Sequence, residues 1–146
     1  MHRKWAWLAA AAVLFSAWVL GIAWDYFDHS SIPHAAIQSW LKLFGSSIYE
    51  YHSKTGQWPH ALDDLAQTSL PATMPGWRQT AAPVKILWRD DLNIDPKENA
   101  DVLLLYYEGG MFSKLGRVWV CWGDLRTEYI PVSDLRARLA KEPAAQ

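Results

Sequence analysis

The strongest constraint on this chain lies in residues 5–24, WAWLAAAAVLFSAWVLGIAW, where twenty consecutive positions carry no charged side chain. At about 1.5 Å of rise per residue, a helix of that length covers about 30 Å, the thickness of a bilayer's hydrocarbon core. A rod that is apolar all round must be covered all round, and a chain of 146 residues has little else with which to do it. Lipid is the fitting cover. Arg3 and Lys4 precede the run while Asp25 and Asp28 follow it, so the positive-inside rule leaves the amino terminus in the cytoplasm. Trp5 and Trp7 at one end, and Trp24 with Tyr26 and Phe27 at the other, suit the two interfacial belts, and Trp18 lies within the run. A cleaved export signal has a shorter apolar core and a small-residue cleavage site. Here the run is longer, and its nearest candidate site, Gly21-Ile22-Ala23, is followed by the bulky Trp24. Residues 1–28 are therefore expected to form a cytoplasmic stub and a single-pass anchor in the inner (cytoplasmic) membrane. Residues 29–142 are expected to form a domain in the periplasm or extracytoplasmic space, with 143–146 as a tail.

Charge and motif content narrow the function. The net charge of −1 and a pI of about 6.5 supply no basic field, so nucleic acid is not an expected partner. The lone Cys121 excludes an internal disulfide framework and a cysteine-built zinc site. No Gly-x-Ser-x-Gly elbow, P-loop or HExxH stretch occurs, and His29 and His34, which could share a face, have no Cys or Glu companion at metal-ligand spacing. The chain is thus not read as an enzyme, and no catalytic residue or organic cofactor is expected.

Beyond the polar joint DYFDHSSIPH, apolar residues recur at Ile37, Leu41, Phe44, Ile48 and Tyr51, spaced four, three, four and three apart. That is one stripe of an amphipathic helix, with Ser30 or Ser31 available to cap it and Gly56 placed to end it in the left-handed conformation. Trp58-Pro59 restarts the chain, and HALDDLA supplies one or two helical turns whose Leu62 and Leu65 point inward, with Pro59 in the first turn. Pro71, Pro75, Gly76 and Pro83 predict a loop over residues 70–83, with Trp77 as a clamp at the edge of the domain. The second half reads as β: residues 84–88 (VKILW), 102–107 (VLLLYY), 117–122 (RVWVCW) and 127–130 (TEYI) are short β-branched and aromatic runs. Gly123-Asp124 makes the tight turn of an antiparallel meander. Pro131 ends the last strand, and Ser133 is placed to cap a terminal helix that Leu135 and Leu139 dock. The fold class is α+β, an amphipathic helix packed on a small antiparallel meander, with a short carboxy-terminal helix.

This order of elements, with particular residues inside it, resembles the type IV pilin-like fold, and the pseudopilins of type II secretion above all. In that family a helix continuing from the membrane ends in a Tyr-x-x-x-x-Gly-x-Tyr/Trp-Pro stretch followed by a short helix with two leucines. Tyr51, Gly56, Trp58, Pro59, Leu62 and Leu65 match it residue by residue. The last hairpin, VCWGDLRTEYI, resembles a pilin-like V-x-F-x-D-G-H-V-E-x-I pattern, with Asp124 and Glu128 in place, Leu125 where the pattern has Gly and Arg126 where it has His. Neither the Gly-Phe junction that prepilin peptidase cuts nor an acidic residue in the apolar run is present. The resemblance therefore implies a permanently anchored relative rather than a filament subunit, acting through protein–protein contacts in a secretion or envelope assembly.

Two further features carry candidate chemistry. Asp91, Asn93 and Asp95 alternate like the oxygen-rich start of a calcium loop, although Pro96 and Val102 stand where an EF-hand wants glycine and a bidentate glutamate. A solvated acidic turn is the competing reading. Asp124 and Glu128, flanking the hairpin turn, could form a carboxylate pair, and the competing reading there is that they serve the turn and the exposed strand face. Two other functions fit the composition. One is an accessory structural subunit of a larger respiratory or photosynthetic membrane complex, its small-residue rows Ala12/Ser16 and Ala17/Gly21 packing on other helices. The other is a cell-wall module stacking Trp77 and Trp88 on sugars. In each case the partners are the membrane and other membrane or envelope proteins.

Overall fold

The computed structural model of the chain describes residues 34–109 and 116–141. The expected anchor with Trp5, Trp7, Trp18 and Trp24, the polar joint with its caps, and the tail all lie outside those residues. Among the described residues, no helix is long and apolar enough to cross a membrane.

Helix α1 (His34–Thr55) is the spine. Ile37, Leu41, Phe44 and Ile48 are buried along it and Tyr51 is half-buried, so the stripe read from the sequence is the face that packs. Small residues let the layers approach: a β-carbon on Gly45 would lie 2.9 Å from Leu125 Cδ2 and 3.4 Å from Cys121 Sγ. The helix ends at Gly56, whose φ of +73° is left-handed and whose N–H donates to the His52 carbonyl at 2.8 Å. Nothing lies within 4 Å of a β-carbon built there, so the demand for glycine is purely conformational. Gly56→Val should lower the stability of the domain by about 1 kcal/mol, measured by thermal melting; an unchanged melt would show that the cap does not stop the helix.

The following turn differs from expectation. Pro59 is buried ahead of the helical segment instead of opening it, and that segment is a 3-10 helix, Leu62–Gln67. Asp64 organises it, its Oδ2 accepting from the backbone N–H groups of His60 and Ala61 at 2.8 and 3.0 Å. Residues 70–83 are not a loop. They form two short helices, α2 (Leu70–Thr73) and α3 (Trp77–Ala81). The prolines and glycine punctuate these helices without preventing them: Pro71 occupies the first turn of α2, where its missing N–H costs nothing, and Gly76 precedes α3 with φ +76°. Leu70, Met74, Trp77 and Ala81 thereby turn inward, and Trp77, at 4% exposure, is core rather than an edge clamp or a sugar platform.

Four antiparallel strands follow in meander order: β1 (Val84–Ile86), β2 (Leu103–Tyr107), β3 (Arg117–Trp122) and β4 (Thr127–Pro131). β1 is shorter than the sequence suggested, and Leu87 and Trp88 run on outside the strand. The pairing of β2 with β3 slips between Leu103 and Leu105, two residues against one, which turns both Leu104 and Leu105 to the α1 side. β3 alternates as expected: Trp119 and Cys121 join the cluster under α1, while Val118, Val120 and Trp122 join the opposite one. Helix α4 (Val132–Leu139) covers that second face through Leu135. It starts two residues earlier than expected, at Val132 with Pro131 in the cap position, and Ser133 bonds Asp134 instead of capping. Both faces of the sheet are therefore covered by helices, and the chain is α+β around an antiparallel sheet.

Candidate functional site

The sequence features with chemical content meet at one end of the domain, where the carboxy-terminal part of α1 passes the β3–β4 turn and the loop before β2. Asn99 is the hub. It is 3% exposed and ends a 3-10 turn, Pro96–Asn99. Its Nδ2 donates to Tyr49 Oη at 2.8 Å and to the carbonyls of Asn93 and Asp95 at 2.8 and 3.4 Å, and its Oδ1 accepts the Asn93 N–H at 2.9 Å. Tyr49 in turn donates to the Gly123 carbonyl at 2.7 Å. Burial pushes the Tyr49 hydroxyl above its ordinary pKa, against the lowering effect of Asn99. The network leaves no buried side-chain polar atom unpaired among the described residues.

This hub accounts for the acidic loop. Asp91 is turned to Arg89, whose Nε and Nη2 reach its two oxygens at 2.8 and 3.0 Å and hold its carboxyl below the usual range. Asn93 Oδ1 accepts the Asp95 N–H at 3.1 Å, and Asp95 Oδ1 accepts the Lys97 N–H at 3.0 Å. The three side chains with the calcium-like spacing are thus each engaged locally, and the Asn99 amide donates to the backbone carbonyls of Asn93 and Asp95. Among the described residues, no group of three or more His, Cys, Asp or Glu side chains is placed to hold a metal.

The hairpin carboxylates serve their turn and strand. Asp124 Oδ1 accepts the Arg126 N–H at 3.0 Å, while Glu128 Oε2 accepts from Trp122 Nε1 at 2.9 Å. Arg126 joins the two, its Nε 3.3 Å from Glu128 and 4.0 Å from Asp124. Leu125, where the resembled pattern has glycine, carries the positive φ of 65° that glycine would meet without strain. Its side chain packs with the core beneath α1. Cys121 is fully buried, and burial, with Asp124 adding to it, pushes its thiol up to about 12, out of the range of a nucleophile.

The Tyr51–Leu65 motif builds the neighbouring wall. His52 and Trp58 stack with ring centroids 4.0 Å apart, and Tyr49 meets Trp58 edge-on at 5.5 Å. Trp58, Pro59 and Leu65 are buried, and Leu62 packs on the same cluster. Between this wall and the acidic loop runs an open groove of about 550 Å³, lined by Tyr49, His52, Ser53, Gly56, Ile94 and Pro96. The sequence does not announce it: Ile94, 72% exposed at the rim, lies in a polar loop and belongs to no apolar periodicity.

No protein-family model matches the chain, and no curated protein or solved structure matches it.

Proposed function

We propose that this chain is a membrane-anchored extracytoplasmic module of pilin-like type, working through protein–protein contacts in a secretion or envelope assembly. The observation that carries the reading is the uncharged run of residues 5–24, flanked by Arg3 and Lys4 on one side and Asp25 and Asp28 on the other. The α+β domain supports it: a helix with one buried stripe lies on an antiparallel meander, in the order that the pilin-like resemblance implies. The resembling residues Gly56, Trp58, Pro59 and Leu65 act in packing and capping, and Asp124 and Glu128 in the hairpin. Such residues make a stable platform, and a platform on a membrane stalk contributes surface rather than chemistry.

Topology tests this directly. A reporter that is active only after export, fused after Gln146, should be active, and the full chain should remain with the membranes after a carbonate wash. Fluorescence from a cytoplasm-only reporter at the same position would overturn the reading.

A further inference from the structure

We propose that the groove between the end of α1 and the acidic loop is a docking site for a basic segment of a partner protein that inserts one large apolar side chain beside Ile94. The inference rests on the contact-module reading above, and names the surface and the chemistry of its partner.

Three features converge there. The first is an apolar anchor held in place. Ile94 is 72% exposed, and the backbone on both sides of it is pinned, because Asn99 Nδ2 holds the Asn93 and Asp95 carbonyls and Asn99 Oδ1 holds the Asn93 N–H. A side chain presented from a fixed turn loses little entropy when it is covered. Second, the groove beside it has an aromatic floor, Tyr49 and His52, with Trp58 stacked behind His52, and Pro96 forms part of its wall. Aromatic rings backed by buried neighbours are the surfaces on which contact energy concentrates.

The third feature, charge, selects the occupant. The segment from Asp90 to Asp101 holds five acids, Asp90, Asp91, Asp95, Glu98 and Asp101, against the single base Lys97. Asp91 is committed to Arg89, and Asp90 faces His60 at 3.6 Å. Asp95, Glu98 and Asp101 are exposed, and none of them forms an ion pair among the described residues. Away from the groove, Glu50 and Lys54, which bond Ser69 and the Gln67 carbonyl, neutralise one another at 2.7 Å. The loop that supplies Ile94 and Pro96 to the groove thus carries a surplus of negative charge, so a cationic segment is drawn towards it and an anionic one is repelled.

The test uses the full chain in a non-ionic detergent and measures the fluorescence anisotropy of a labelled, lysine-rich peptide with one central leucine. Saturable binding that weakens as salt rises is expected, with at least about tenfold weaker binding when alanine replaces the leucine. Ile94→Asp should weaken binding at least about tenfold, and Glu98→Lys several-fold, with melting temperatures unchanged because both side chains are exposed. Equal binding of a glutamate-rich peptide, or unaltered binding by both variants, would overturn the proposal. So would a concentration-dependent self-association abolished by Ile94→Asp in the absence of peptide binding, which would assign the groove to a second copy. Peptide binding to the purified chain does not depend on the orientation of the anchor, so failure here and failure of the topology test are separate results.

Discussion

Gly123→Ala is expected to destabilise the domain by about 3 kcal/mol or more, a large loss for the addition of one methyl group. A β-carbon at position 123 would lie 2.4 Å from Asn99 Cβ and 2.6 Å from the Asn99 carbonyl oxygen. The obstacle is backbone and the root of a side chain, so no rotamer change relieves it. Either the β3–β4 turn or the Asn99 turn must move. Each carries bonds that the movement breaks: the Gly123 N–H donates to the Val102 carbonyl at 2.7 Å, and the Gly123 carbonyl accepts from Tyr49. Asn99 would lose its register with Asn93 and Asp95 in the same step. For a domain of this size the melting temperature should fall by on the order of 10 °C or more, measured by near-ultraviolet circular dichroism. Tyr49 gives a second reading, since its hydroxyl ionises above the ordinary value through burial and should return towards it in the variant. A melt within a degree of the parent would mean that the turn does not pack on Asn99.

That contact shows where sequence reasoning stops. The stripe on α1, the positive φ of Gly56, the meander and the alternation on β3 all follow from local periodicity or local backbone chemistry, and all were legible. Pro and Gly in residues 70–83 signal a break in regular structure, whereas Pro71 and Gly76 mark the starts of two helices too short for periodicity to announce. The burial of Trp77 depends on the helix it begins, so it is hidden from the local sequence with them. The shorter β1 and the slip in β2 are settled by pairing with distant residues, which no local window contains.

The site was legible only in fragments. Asp91, Asn93 and Asp95 drew attention as alternating oxygens, which is a real signal of a loop rich in side-chain-to-backbone bonds. Asn99 was missed. It follows a proline-led turn in a polar stretch, and only its three-dimensional position, 2.8 Å from a tyrosine fifty residues away, makes it the hub. The motif from Tyr51 to Leu65 is visible through its resemblance, whereas the aromatic stack of His52 on Trp58 is not, because residues six apart across a helix end share no periodic face.

The other large effect is expected at Phe44. It is fully buried in the cluster that α1 shares with the sheet, beside Leu41 and Ile48 on the helix and Leu104, Leu105 and Cys121 on the strands. Truncation removes the ring's transfer energy and leaves a void that the neighbours cannot fill, since α1 is held at both ends of the contact. His34 accepts from Trp119 Nε1 at 2.9 Å near the start of the helix, and Tyr49 is bonded to Gly123 further along. Phe44→Ala should therefore cost about 3–5 kcal/mol, near the upper end for a site that does not collapse. A position two residues along the same helix provides the control: Ser46 is exposed, and Ser46→Ala should change stability by no more than about 0.5 kcal/mol. Denaturant unfolding of the full chain in detergent, followed by near-ultraviolet circular dichroism, separates the two. The midpoint should move sharply for Phe44→Ala while the slope stays the same, because packing within the native core is weakened but the surface exposed on unfolding is nearly unchanged. Similar midpoints for the two variants would show that α1 does not pack on the meander through this face, and would remove the platform on which the contact-module reading stands.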